Sequence, residues 1–116
     1  MKEVEQLYFN EFGLAFYWKK EGKILRDKVQ VIFKETGFYL TTDQLKKFTI
    51  IIESTIRQQQ CDGCGNSHCR KFLLTTPFDG LELAVNRNEL NDIKDLMEGT
   101  LFTINLLNYV SDIGRN

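Results

Sequence analysis

No stretch of this 116-residue chain is apolar for long enough to cross a bilayer, and the opening Met1-Lys2-Glu3-Val4-Glu5-Gln6-Leu7 is too charged to form the apolar core of a signal peptide. The expectation is a protein that stays where it is made, in the cytoplasm, with no membrane partner. An excess of one charge is missing too. The formal net charge is −1, and the basic residues come in short groups (Lys19, Lys20, Lys23; Lys46, Lys47; Arg70, Lys71) with acids between them, so no nucleic-acid footprint is expected. A single histidine leaves no second imidazole for acid–base work. There is no Walker loop, no Gly-x-Gly-x-x-Gly and no nucleophile elbow. The chain is long enough for one sizeable core and too short for two, so residues 1–116 are expected to form one domain.

The three cysteines and the one histidine all fall between Cys61 and Cys69, in the run Cys-Asp-Gly-Cys-Gly-Asn-Ser-His-Cys. Cys61-Asp62-Gly63-Cys64-Gly65 has the form of a zinc knuckle. Two thiolates two residues apart can share one ion, and the glycines allow the tight turn that aims backbone amides at the sulfurs. His68 and Cys69 would complete a Cys3His set, although adjacent residues tend to point apart, so that Asp62, water or a second chain is an alternative fourth ligand. A zinc ribbon would need a second Cys-x-x-Cys downstream, and none is present. The candidate metal ligands are therefore Cys61, Cys64, His68 and Cys69, with zinc as the cofactor. Two other readings stay open. Cys61 and Cys64 can form a reversible disulfide, with His68 or Arg70 lowering a thiol pKa, or residues 61–69 are an ordinary surface loop with no chemical task. Thioredoxin-type enzymes place Cys-x-x-Cys after a strand and at a helix start, the reverse of the order expected here.

Around that loop the chain is legible as alternating short elements. Leu14, Phe16 and Trp18 alternate with Ala15, Tyr17 and Lys19 at the period of a strand, Glu21-Gly22 can turn the chain, and Val29, Val31 and Phe33 resume the alternation. Gly37 punctuates before Phe38 to Leu40. At Thr41 the period changes to that of a helix: Thr41 and Gln44 form a capping box, and Leu45, Phe48, Ile52 and Ile56 share one face. Arg70 to Thr76 and Leu81 to Val85 read as a hairpin around Pro77-Phe78-Asp79-Gly80. Asn86 and Glu89 then repeat the capping box ahead of Leu90, Ile93, Met97, Leu101, Ile104 and Tyr109. The predicted fold class is α+β: an antiparallel sheet of four to five strands with two helices packed on one face, strand-strand-helix repeated twice. The echo of the two halves fits either a duplication or two ordinary strand-to-helix junctions.

Gly99-Thr100 predicts a bend or break in the second helix. Beyond it, Leu101 to Val110 carries apolar residues on more than one face, which either wrap the chain's own core or form a homodimer surface. Glu89, Asp92, Asp95 and Glu98 recur at helical spacing with Lys94 among them, as on a solvated face. Trp18, Tyr17 and Tyr39 would suit an aromatic platform but, without a basic stripe beside them, are read as packing. The pattern from Val31 through Leu45, together with Leu81 to Leu90 and its Asn-Arg-Asn-Glu-Leu segment, resembles a family of small uncharacterised proteins of Bacteroidota. The resemblance spans most of the chain after Leu14; it implies an α+β fold, no known activity and no functional residue. The expected function is that of a small non-catalytic binding module with an unidentified protein partner and a structural zinc. A thiol redox protein using Cys61 and Cys64 is the alternative from another class.

Overall fold

Two capping boxes fix where the helices begin. The Thr41 amide donates to Gln44 Oε1 (2.9 Å) while the Gln44 amide donates to Thr41 Oγ1 (3.1 Å). The Asn86 amide likewise donates to Glu89 Oε1 (3.0 Å), and the Glu89 amide to Asn86 Oδ1 (2.7 Å). Each pair satisfies amides that the first helical turn leaves without partners. The structure, a computed structural model, describes residues 3–59 and 72–113. In chain order the elements are β1 (Glu3–Phe9), β2 (Gly13–Lys20), β3 (Lys23–Ile24), β4 (Val29–Phe33), β5 (Thr36–Leu40), α1 (Thr42–Gln59), β6 (Phe72–Thr75), β7 (Glu82–Val85) and α2 (Arg87–Ile113).

The class is α+β, as the alternation predicts. A five-stranded antiparallel sheet runs β1-β2-β4-β5, with β3 paired to the far end of β2, and β6-β7 form a separate two-stranded sheet. The register sets Ala15 beside Val31 and Val31 beside Phe38. This shared face carries Ala15, Tyr17, Val29, Val31, Phe33, Phe38 and Leu40 into the core, where they meet Leu45, Phe48 and Ile52 of α1 and Leu90, Ile93, Leu96, Met97 and Ile104 of α2. Both helices therefore lie on one face of the sheet. Leu74 and Val85 join the same core from the small hairpin.

Three local features depart from the sequence reading. The polar-looking N-terminal stretch is an edge strand, whose register shifts between Gln6 and Tyr8. This bulge breaks the period of two and hides the strand from a pattern search. The β4–β5 turn is not at Gly37, which lies within β5 opposite Ile32. It is Lys34-Glu35, both at positive φ (51° and 60°), the backbone of a type I′ hairpin that normally calls for Asn-Gly. Lys34 is tied down here: its ammonium meets Glu89 Oε2 (3.1 Å) and donates to the Ala84 carbonyl (3.1 Å). Glu35 has no such hold in the structure's hydrogen bonds or ion pairs among the described residues. Glu35→Gly is therefore expected to stabilise the fold by about 1 kcal/mol, read as a higher urea midpoint at unchanged slope.

The third departure is α2, which continues through Gly99-Thr100 without interruption. A β-carbon at Gly99 would stand 2.4–2.6 Å from three ring atoms of Tyr8. The glycine is there to let β1 lie directly against the helix, not to break it. Thr100 Oγ1 donates to the Leu96 carbonyl (2.6 Å) and Thr103 Oγ1 to that of Gly99 (2.9 Å), so both hydroxyls are absorbed by the helix itself.

Candidate binding face

With both helices on one side, the other side of the five-stranded sheet is, among the described residues, left to its own side chains. Phe16 pairs with Gln6 and Gln30, Trp18 with Val4, and Tyr39 with Gln30, so Phe16, Trp18, Gln30 and Tyr39 share this outer face. Phe16 is nearly fully buried there (4 % exposed), covered by its neighbours on the same face. The Trp18 indole is held in place from two directions. Its ring meets Phe16 edge to face (centroids 4.9 Å, interplanar 85°), and its Nε1 donates to Gln30 Oε1 (3.1 Å). Gln30 is fixed in turn by donating from Nε2 to the Phe38 carbonyl (3.2 Å). An aromatic ring so fixed loses little rotamer freedom when something binds against it.

Trp18, Lys19, Lys20, Leu25 and Tyr39 line a groove of about 480 Å³ on this face. Leu25 and Tyr39 are substantially exposed. The Lys28 ammonium stands over the Tyr39 ring at 5.3 Å from its centroid, within cation–π range. Lys20 pairs directly with Lys23 across the β2–β3 hairpin, whose turn residues Glu21 and Gly22 have φ of 52° and 78°. Two lysines therefore occupy directly opposed positions at the end of β2 beyond Trp18, a like-charge pairing that costs stability. Lys19 borders the groove, but its ammonium is engaged with Glu5 (3.3 Å). Tyr17 also departs from the aromatic set and lies in the core, where burial raises its phenol pKa and Arg26 partly offsets the rise. The sequence signal that could have marked the groove was the basic run 19–28; only pairing shows that its lysines reach Trp18 and Tyr39.

The acidic series on α2 is not uniformly solvated. Asp95 accepts from the Tyr8 hydroxyl (3.0 and 2.9 Å to its two oxygens) and from Asn10 Nδ2 (2.9 Å). Asn10 also donates to the Asp92 carbonyl (3.1 Å), and its Oδ1 accepts from the amides of Phe12 and Gly13 (2.9 Å each). These bonds brace the β1–β2 turn against the helix. The hydrogen bond to Asp95 is the main cause of a raised Tyr8 pKa. Partial burial, then Asp95, Glu11 and Glu89, push the Asp92 carboxyl up. Partial burial, then a hydrogen bond with Glu53 of α1, push Glu98 up, with Lys94 pulling the other way.

A carboxyl with a raised folded pKa binds its proton more readily in the folded chain than in the unfolded one. Its ionisation therefore opposes folding above the raised pKa, and that opposition fades as pH falls through it. Glu98→Gln is expected to raise the urea midpoint at pH 7 by a small amount, about 0.5 kcal/mol at most for so exposed a group, and to give no gain near pH 4. Paired denaturation curves at the two pH values check this.

Cys61, Cys64, His68 and Cys69 lie outside the described residues. Among the described residues, no group of three or more His, Cys, Asp or Glu side chains is placed to hold a metal ion, and no helix is long and apolar enough to cross a membrane. On α2, Phe102, Leu106, Tyr109 and Val110 are 69, 48, 63 and 56 % exposed. The segment expected to form either core or a homodimer surface thus contributes Ile104 to the core and leaves these four outside it. The geometry defines a two-layer α+β domain with an aromatic, lysine-rimmed groove on its helix-free face. No family model, curated protein or solved structure matches the chain.

Proposed function

We propose that this protein is a small non-catalytic interaction module whose working surface is the helix-free face of the large sheet. The observation that carries the reading is the fixed Trp18 indole, locked by Phe16 and Gln30 beside the groove that it shares with Tyr39. Rigid aromatic side chains on a partly open surface supply contact area at little entropic cost, the usual character of binding anchors. A photo-crosslinking residue placed at Tyr39 in living cells is expected to give a defined adduct, and one at Glu82, on the small hairpin, is expected to give none. Adducts at position 82 with none at 39 would refute the assignment.

Homodimerisation through α2 is a second reading, favoured by the exposed apolar stripe. Phe102, Leu106 and Tyr109 follow one another at spacings of four and three, as in a coiled-coil seam, and Gly99 to Ser111 contains no charged residue. A second copy could therefore pair along the stripe without like-charge contact. Light scattering over a dilution series should show a dimer that Leu106→Glu abolishes. The structural zinc at Cys61, Cys64, His68 and Cys69 is proposed on sequence alone. About one equivalent of zinc per chain, lost in Cys64→Ser, would support it; a metal-free protein with a reversible Cys61–Cys64 disulfide would favour the redox alternative.

A further inference from the structure

We infer that the groove beside Trp18 receives an acidic peptide segment, with an apolar side chain entering between Trp18 and Tyr39 and flanking carboxylates meeting Lys20, Lys23 and Lys28. This rests on the assignment of the helix-free face as the binding surface and specifies its occupant.

Charge complementarity is the first ground. Residues 19–28 hold five basic and two acidic side chains in a chain whose overall formal charge is −1, so positive charge is concentrated at this end of the sheet against the trend of the molecule. Lys19 is engaged with Glu5. Lys20 and Lys23 are paired with each other across the hairpin, and Lys28 stands over Tyr39. None of these last three amines forms an ion pair among the described residues. Glu21 and Asp27 are the acids in the same segment, and both are exposed.

The second ground is the Lys20–Lys23 pairing. A like-charge cross-strand pair is disfavoured in the free protein, and such a local violation is relieved by an anion between the two amines. The third ground separates a peptide from a single-stranded nucleic acid. Stacked bases need successive open ring faces. Here the Lys28 ammonium occupies a face of Tyr39, and the Trp18 indole is already committed to Phe16. A single apolar side chain needs only the groove between them.

Trp18 is the only tryptophan in the chain, so its fluorescence reports on the groove directly. An acetylated, amidated peptide of sequence Glu-Glu-Leu-Glu-Glu is expected to change the emission saturably, and a matched peptide with lysine in place of each glutamate to leave it unchanged. Lys20→Glu combined with Lys28→Glu should weaken the acidic peptide by roughly tenfold or more, and added salt should weaken it in the wild type. Lys20→Glu alone replaces the repulsive pair with Lys23 by an attractive one, so it should raise the unfolding midpoint while lowering affinity. A merely structural role for Lys20 does not produce that opposition.

No response to the acidic peptide up to millimolar concentration, or an equal response in the double variant, overturns the inference. A response to short oligothymidylate in place of the acidic peptide also overturns it, but leaves the sheet face as the binding surface. Loss of the Tyr39 crosslink would instead remove the surface itself.

Discussion

Phe48→Ala is expected to cost about 3 to 5 kcal/mol, a large part of the stability of a domain of this size. Phe48 has no exposed surface, and its ring lies 6.4 Å from that of Phe38, tilted by 59°. Phe38 stacks on Phe33 (5.1 Å) and on Phe78 (6.4 Å), and Phe33 stacks on Phe12 (5.6 Å). One run of rings therefore joins the β1–β2 turn, the large sheet, α1 and the Pro77–Gly80 turn of the small hairpin. Truncation at Phe48 removes the only ring that α1 contributes to this run and leaves a cavity that the fixed neighbours cannot fill. Phe48→Leu, which keeps most of the volume, should cost less than half as much. Urea denaturation of the two variants decides the matter: a loss below about 1 kcal/mol for the alanine variant would mean that the ring does not fill the core.

The second large effect is expected at two glycines, with different remedies. Gly13→Ala should destabilise by about 3 kcal/mol, because the new carbon would stand 2.5 Å from the Ile32 carbonyl oxygen and 2.8 Å from Leu96 Cδ2. The obstacle includes the backbone of β4, so no single side-chain truncation restores the loss. At Gly99 the three nearest obstructing atoms all belong to the Tyr8 ring. Helix propensity alone predicts that Gly99→Ala stabilises α2 by about 1 kcal/mol; the structure predicts instead a loss of about 2 kcal/mol, since Tyr8 must swing out and give up its bond to Asp95. In the Tyr8→Ala background the same substitution should become neutral or favourable, a coupling measurable by a double-mutant cycle. A stabilising Gly99→Ala in the wild-type background would show that β1 does not lie on α2 as described.

Local chemistry made much of this fold readable in advance. Thr41 with Gln44, and Asn86 with Glu89, announced both helix starts, because a capping box is completed within four residues and needs nothing from the rest of the chain. The turn at Pro77–Gly80 and the one at Glu21-Gly22 were equally visible, since proline fixes φ and glycine admits the positive φ found at Gly22 and Gly80. The cysteine loop was the most conspicuous chemical feature of the sequence, and it lies outside the described residues.

Determined by the sequence alone, then, were the α+β class, the order of sheet and helix along the chain and the two helix starts, all of which depend on contacts between near neighbours. Only the tertiary structure decided that Lys34-Glu35 turns without a glycine, that Gly99 makes room for Tyr8, and that the N-terminal stretch is a strand. It alone also chose which of the two apolar sets on β2 lies away from the helices, because Ala15 and Tyr17 satisfy a buried face as well as Phe16 and Trp18 do. The helices settled that choice by covering one side of the sheet, and by doing so they left Trp18 and Tyr39 together among the lysines of the β2–β4 connection.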